Sequence, residues 1–489
     1  MVSLASILRY IALASTYYTY VVDLTFAMPV EFNAYTPIDD VVCLSHGHPA
    51  YGARLDPSIL AALAPVIPVV AANVSLSAAL DLESPVQSDQ AATVQAPESV
   101  APATISDSSP IQSYRRTRQL EASNQDIQRL EAHFKVSMER NTAKLATKAN
   151  FATIPWPSSY WPVYQDSINA KWDSKQASPA EKYARAFGLN VKQFMDKVSQ
   201  INGILSQKSR RACGSNNECT SLKDGSVCAK RTGQSRGYCI PGWYGICHAW
   251  APAAILEKEP KCSVTKNGIK FQPFDIKALL TAVYDGSPVE TVFTGVRFNG
   301  PDSASNNKDS YGRFKDAARR DLGAGYFHIA VTNLLGKFKK SFVVDVTAGA
   351  EVWNQPVRGY EILESSTMTP AQAAQKYFRT NKYPFNNAAK KVMYVKNRFS
   401  WVIEMVQDGP LVASGQANRA VQSADYTYVL ELDDKSNILG GEWVGNSMAE
   451  HPDFLWLPID RPAANTVTPL GLSYRNVQDL LTASVNGRC

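Results

Sequence analysis

Long apolar runs are scarce in this 489-residue chain, and none is a convincing membrane span. Residues 1–22 are moderately apolar and rich in tyrosine, with one basic residue, Arg9, and the run Ile59 to Ala72 is broken by Pro65 and Pro68. Each is too short, too polar or too interrupted to cross a bilayer, and either can serve as the apolar core of a signal peptide. Cysteine pairs of the CxxC type are absent, and the gaps between Cys213 and Cys239 contain no histidine, which removes the usual zinc-binding patterns. No basic stripe with interleaved aromatics exists. The net charge of +6 therefore makes no case for nucleic acid and at most suits acidic polymers or surfaces. The regular oxygen spacing of a helix-loop-helix calcium site is missing too, and the oxygen-rich stretch Asp302 to Asp309 reads as a solvated turn. No internal repeat is evident.

What is present starts with eight cysteines: Cys43, Cys213, Cys219, Cys228, Cys239, Cys247, Cys262 and Cys489. Four of them crowd into 213–239 among Gly, Ser, Asn, Lys and Arg, where too few apolar side chains occur to pack a core. A small disulfide knot is expected there, and with it an oxidising, secreted setting. If the knot closes two bridges, Cys262 pairs with Cys489, and Cys43 leaves with a leader, then Cys247 is the odd thiol. The sequon Asn73-Val74-Ser75 lies beside the second apolar run and would be lost with a leader.

Cys247 stands in Gly242-Trp243-Tyr244-Gly245-Ile246-Cys247-His248-Ala249-Trp250, where small and aromatic residues precede a plausible helix start. A helix N-terminus offers partial positive charge and free backbone N–H groups, which suits a thiolate nucleophile and its oxyanion. Downstream, Gly325-Tyr326-Phe327-His328-Ile329-Ala330-Val331 reads as an apolar strand, and Phe342 to Val346, containing Asp345, reads as another. Were these two strands paired antiparallel, His328 and Asp345 would share one end of a hairpin, with His328 as base and Asp345 as its orienting carboxylate. Bland roles stand beside each: a disulfide half, a core histidine, a turn-forming aspartate. His451 and Asp453 form a competing pair. Trp243, Tyr244 and Trp250 can build an amine tunnel or simply pack the helix.

Residues 80–118, rich in Ser, Pro, Ala, Gln and Asp, read as a disordered linker that ends at the basic stretch Arg115-Arg116-Thr117-Arg118. From Leu120 the periodicity is helical through Ile127, Leu130, Phe134 and Met138. A stiff segment, Trp156 to Pro162, follows, and its aromatics are expected to clamp the main domain. Ser178-Pro179-Ala180-Glu181 is a capping box opening one helix through Phe194, Val198, Ile201 and Leu205 to a second basic turn at Lys208 to Arg211. Strands are expected at Val289 to Arg297, Phe327 to Asn333, Ser341 to Val346, Lys391 to Val402, Tyr426 to Leu432 and Ile438 to Val444, the last two joined by a hairpin at 433–437. Helices first, strands later, and a thiol on a helix facing a base on a sheet define an α+β thiol enzyme.

The stretch Val352-Trp353-Asn354-Gln355-Pro356-Val357-Arg358-Gly359-Tyr360 resembles the elicitor peptide of the oomycete cell-wall transglutaminases, departing from it at Glu361, Ile362 and Leu363. Trp156 to Pro162, the approach to Cys247, and Gly440 to Gly445 resemble the same family, so the similarity spans roughly residues 120–489. The resemblance implies a secreted, calcium-dependent protein-glutamine γ-glutamyltransferase with an N-terminal pro-region and a papain-like site of Cys247, His328 and Asp345. It implies protein substrates with reactive glutamine and lysine, and a plant receptor that reads residues 352–360 as a surface peptide. The ligands of any calcium ion are not specified by it. The expected division is a leader at 1–79, the linker at 80–118, a helical pro or inhibitory segment at 119–211, and an α+β, papain-like catalytic domain at 212–489 with an antiparallel sheet and the knot at 213–239. The competing functions are a cysteine peptidase with the same triad and a non-catalytic wall elicitor.

Overall fold

The structure is a computed structural model that describes residues 42–44, 48–51, 118–302, 307–487 and 489. The two apolar leader runs, the sequon at Asn73 and the linker up to residue 117 lie outside the described residues.

The helices are α1 (Arg118–Phe134), α2 (Pro179–Ala186), α3 (Val191–Asn202), α4 (Cys247–Leu256), α5 (Pro273–Asp285), α6 (Ala317–Arg320), α7 (Ala324–Val331), α8 (Pro370–Phe378) and α9 (Tyr474–Asn486). The strands begin with β1 (Val42–Leu44) and β2 (Lys148–Asn150), and continue with β3 (Ala212–Cys213), β4 (Ser226–Ala229) and β5 (Gly237–Pro241) in the knot. A small hairpin is made by β6 (Val264–Lys266) and β7 (Ile269–Phe271). The remaining strands are β8 (Val289–Gly295), β9 (Val343–Asp345), β10 (Asn354–Met368), β11 (Lys391–Val402), β12 (Val421–Leu432), β13 (Ile438–Trp443) and β14 (Phe454–Pro458).

One antiparallel sheet organises the molecule in the order β1-β8-β14-β9-β10-β11-β12-β13, with β2 added alongside β10. Side chains alternate across it, as the period of two requires. Val343, Phe454 and Trp456 face a core built from α2, α3, α4, α5 and α9 together with Trp156 and Trp161. Val344, Leu455 and Leu457 face a second core with α1, α7, Tyr428 and Trp443. The sheet thus separates two helical layers, an α+β arrangement as the element pattern suggested.

The cysteines pair Cys213–Cys228, Cys219–Cys239 and Cys262–Cys489, and Cys247 is free and buried. Ser178 caps α2 as expected, its Oγ accepting from Glu181 N, with Pro179 at the first helical position. The helix does not run on to Leu205. Gly188, at φ +68°, breaks it, and Asn190 caps a new helix, α3. Strand β11 covers Lys391–Val402 as read from the sequence, whereas β12 starts five residues earlier than expected, at Val421.

The largest correction concerns Phe327 to Asn333. It is not a strand but the body of α7, which widens into a π-helical turn over Thr332–Lys337. A short run that is apolar on every side carries no usable period, and its burial against both α1 and the sheet selects the helix. Gly325 permits the contact: a Cβ there would lie 2.4 Å from the backbone carbon of Gly440 on β13.

Candidate active site around Cys247

Cys247 is the first residue of α4 and is fully buried. The segment before it is locked by the proline-aromatic stretch. Ile246 N donates to Tyr160 O at 2.7 Å, Val163 N donates to Tyr244 O at 2.8 Å, and Trp250 Nε1 donates to Trp156 O at 3.1 Å. Gly245 passes so close to Tyr160 that a Cβ would meet its ring and carbonyl at 2.4 and 2.5 Å. The expected clamp is therefore real, and it sets where the helix starts. Trp250 is core packing, completely buried among residues of α5 and the sheet, while Trp243 and Tyr244 pack edge to face at 4.5 Å on the knot side.

The thiol faces the start of β10. It donates to Val352 O at 3.8 Å, and Asn354 Nδ2 donates to Sγ at 3.6 Å. Trp456 Nε1 donates to Asn354 Oδ1 at 2.9 Å, which fixes the amide with its nitrogen toward the sulfur. Burial pushes the Cys247 thiol up to about 12; hydrogen bonds from Asn354 oppose that shift, and the negative charges of Glu404 and Asp345 add to it.

Asp345 ends β9 opposite Asn354 in the ladder. Its Oδ1 accepts from Trp353 N at 3.0 Å, Thr347 N at 3.2 Å and Thr347 Oγ1 at 2.9 Å, while its Oδ2 has no partner among the described residues. Burial raises this carboxyl to about 7 against the pull of those donors. Glu404 is likewise raised by burial and accepts from Gln355 Nε2 at 3.0 Å. The fold thus brings Cys247, Asn354, Asp345 and Glu404 together.

His328 is not brought to them. It lies on α7 in the opposite helical layer, where Nδ1 meets Tyr428 Oη at 2.8 Å and burial lowers its pKa to about 4. The hairpin expected to pair its segment with β9 does not form, since β9 lies between β14 and β10. His451 is also turned elsewhere: its two ring nitrogens meet Ser447 O at 2.9 Å and Asp321 O at 3.2 Å, and Asp453 accepts instead from Phe298 N at 2.8 Å. His248, beside the thiol in sequence, points to Asp285, with Nε2 2.9 Å from Oδ1.

The stretch Val352–Tyr360 departs from the expected surface peptide. Val352, Asn354, Gln355, Val357 and Tyr360 are buried, because β10 is an interior strand with β9 and β2 on one side and β11 on the other. Trp353 and Arg358 are partly exposed, the former edge to face with Tyr160 at 5.2 Å. Asn354 was legible only as part of this stretch. Glu404 gave no signal of proximity to the thiol, because it lies in the irregular segment just past β11 and only the tertiary fold brings it near.

Calcium finds no fitting donor set among the described residues. The one convergent group of three potential ligands is Cys213, Cys219 and Cys228, whose sulfurs are committed to disulfides and are poor partners for a hard cation. At the ends of the oxygen-rich loop, Asp302 and Asp309 are engaged by Arg319 and Arg313. No helix among the described residues is long and apolar enough to cross a membrane.

The comparisons with known proteins follow the same region of the chain. A family model described as transglutaminase elicitor matches residues 126–487. The crystal structure of the GP42 transglutaminase from Phytophthora sojae is similar at 52% sequence identity and a TM-score of 0.68, covering 74% of this chain and 98% of that one. No curated protein matches.

Proposed function

The chain belongs to the transglutaminase elicitor family and is a transglutaminase, and on that premise we propose that it transfers the γ-glutamyl group of a protein glutamine to a lysine amine through a thioester on Cys247. The observation that carries the assignment of Cys247 is that it is the one cysteine with a described side chain outside the disulfides, set at the first position of α4 with a fixed side-chain amide on its sulfur. A thiol at a helix start facing a sheet also supports a papain-like reading of the site.

In the reaction, sulfur attacks the carboxamide carbon of glutamine and the thiol proton leaves to a base. The tetrahedral intermediate collapses, the C–N bond breaks, and the nitrogen departs as ammonia carrying that proton. A lysine amine then attacks the thioester, the C–S bond breaks, and an isopeptide and a free thiol result. We propose Asp345 rather than His328 as the proton acceptor. Its electrostatic reach to Cys247, an Oδ2 with no partner among the described residues and a pKa raised to about 7 by burial support that role. Three disulfides support secretion. Calcium dependence is proposed from family membership alone, and no step is assigned to the ion.

The stretch 119–211 supplies Trp156, Trp161, Tyr183 and Phe194 to the same core as Trp250, which supports its staying with the catalytic body rather than leaving as a pro-segment. Recognition of Val352–Tyr360 by a plant receptor is proposed to act on a released or unfolded peptide, since all its residues but Trp353 and Arg358 are buried in the intact sheet.

The test is incorporation of a fluorescent primary amine into a glutamine-rich protein, before and after limited proteolysis, with and without calcium. Labelling that disappears in Cys247→Ala is expected. Fragmentation of the substrate without labelling would make the protein a thiol peptidase instead.

A further inference from the structure

We infer that His48–Tyr51 is an intramolecular occupant of the acyl-donor subsite, with the Ala50 carbonyl oxygen in the place of the substrate's carboxamide oxygen and Asn354 Nδ2 as the donor that binds both. The inference deepens the reading of Cys247 as the nucleophile and rests on it. Asn354 Nδ2 carries two N–H groups: one is directed to Cys247 Sγ at 3.6 Å and one to Ala50 O at 2.6 Å. Because Trp456 Nε1 holds Oδ1, the amide cannot turn over without losing a buried hydrogen bond. A fixed N–H beside a nucleophile, already bonded to an amide carbonyl, is the geometry required of an oxyanion donor.

The occupant is held along its length. Arg297 Nη1 donates to Pro49 O at 3.1 Å and to Tyr51 O at 2.7 Å, so three successive carbonyls are bound by the main body. The Tyr51 ring lies over His248 with centroids 3.7 Å apart, and its hydroxyl donates to Asp285 O at 2.8 Å and to Asp285 Oδ1 at 3.0 Å. The His48 ring meets Phe293 and Trp456 edge-on, and its Nε2 pairs with Thr291 Oγ1 at 3.1 Å. Ahead of it, β1 adds to the edge of β8, delivering the segment by backbone pairing. Ala50 and Tyr51 are buried, and the thiol beneath is closed to solvent. In this arrangement the acyl donor and the occupant compete for one hydrogen-bond donor, so the full chain is latent until the segment leaves.

The experiment uses the full chain carrying His48→Ala and Tyr51→Ala together, with two readouts: alkylation of Cys247 by iodoacetamide, and amine incorporation. Both are expected to rise by roughly tenfold or more over the parent, as anchors are lost from a closed state. A synthetic tetrapeptide of sequence His-Pro-Ala-Tyr is expected to suppress both again, which a misfolded variant would not allow. Adding Asn354→Ala to the opened variant is expected to lower kcat by about a hundredfold, with a smaller change in KM, and to abolish suppression by the tetrapeptide. Unchanged alkylation in the double variant, or undiminished tetrapeptide inhibition after Asn354→Ala, would overturn the inference. Faster alkylation without amine incorporation would keep the occupant and defeat the transferase reading. Full amine incorporation by the parent with unchanged alkylation would do the reverse.

Discussion

The Asp345 carboxyl accepts three hydrogen bonds on Oδ1 and none from the described residues on Oδ2. That asymmetry leaves one oxygen able to take a proton while the other keeps the group oriented. With its pKa raised to about 7 by burial, the carboxylate is the accepting form, so activity that depends on it rises as pH increases through about 7. Asp345→Asn is expected to remove that limb of the pH profile and to lower amine incorporation by about a hundredfold or more. His328→Ala is expected to leave the profile in place and to cost less than about tenfold in rate, showing instead a loss of stability through the Tyr428 contact. Parallel pH–rate profiles of the two variants decide between the acids and bases of the site.

At the level of elements, a buried ion pair fixes α5 to the segment that follows α4. Lys277 on α5 donates to Glu259 Oε1 at 2.7 Å and to Pro157 O at 3.2 Å, and Glu259 accepts from Leu411 N at 2.9 Å and Val412 N at 2.7 Å. One pair therefore ties α5, the segment just past α4, the proline-aromatic clamp and the loop after β11. Burial lowers the Lys277 pKa, and Glu259 opposes that shift. Removing one partner leaves the other as an uncompensated buried charge, so Lys277→Ala is expected to destabilise the protein by about 3–5 kcal/mol, read by urea denaturation. The π-helical turn after α7 and the break between α2 and α3 belong to the same scale. Gly188 ends a helix that the apolar spacing alone would have continued.

Across the whole molecule, burial has raised a group of acids: Asp126 to about 6, Asp345 and Glu431 to about 7, and Asp321 to about 8. Each is raised above its unfolded value, so its contribution to stability is complete below about pH 4 and is lost as pH rises through the folded values. The buried histidines His328 and His451, both lowered to about 4, act in the opposite sense. Their contribution is complete above about 6.5 and is lost as pH falls toward 4. The two groups oppose each other between about 4 and 6.5, leaving the acids alone above it. The melting temperature is expected to fall as pH rises from about 6.5 to 8.5, and Asp321→Asn to flatten that slope; differential scanning fluorimetry across the range checks both.

The sequence by itself determined the thiol and its helix start, because cysteine count, the glycine at 245 and the aromatic clamp are local or nearly local signals. It also determined the crowding of four cysteines into a knot, the Ser178 cap and the long strand Lys391–Val402, each written in composition, a capping motif or a period of two, whereas the Cys262–Cys489 pairing stood only as a condition until the fold brought the two cysteines together. Only the tertiary structure decided which groups meet the thiol. Strand register sets Asn354 opposite Asp345, the one partner of the thiol that the sequence itself names, and the irregular segment after β11 brings in Glu404, while His328 is set behind the sheet because its apolar run folds as a helix rather than a strand. The burial of Val352–Tyr360 and the seating of His48–Tyr51 were likewise invisible, since neither period nor spacing records which strand lies in the interior or which distant segment closes over a site.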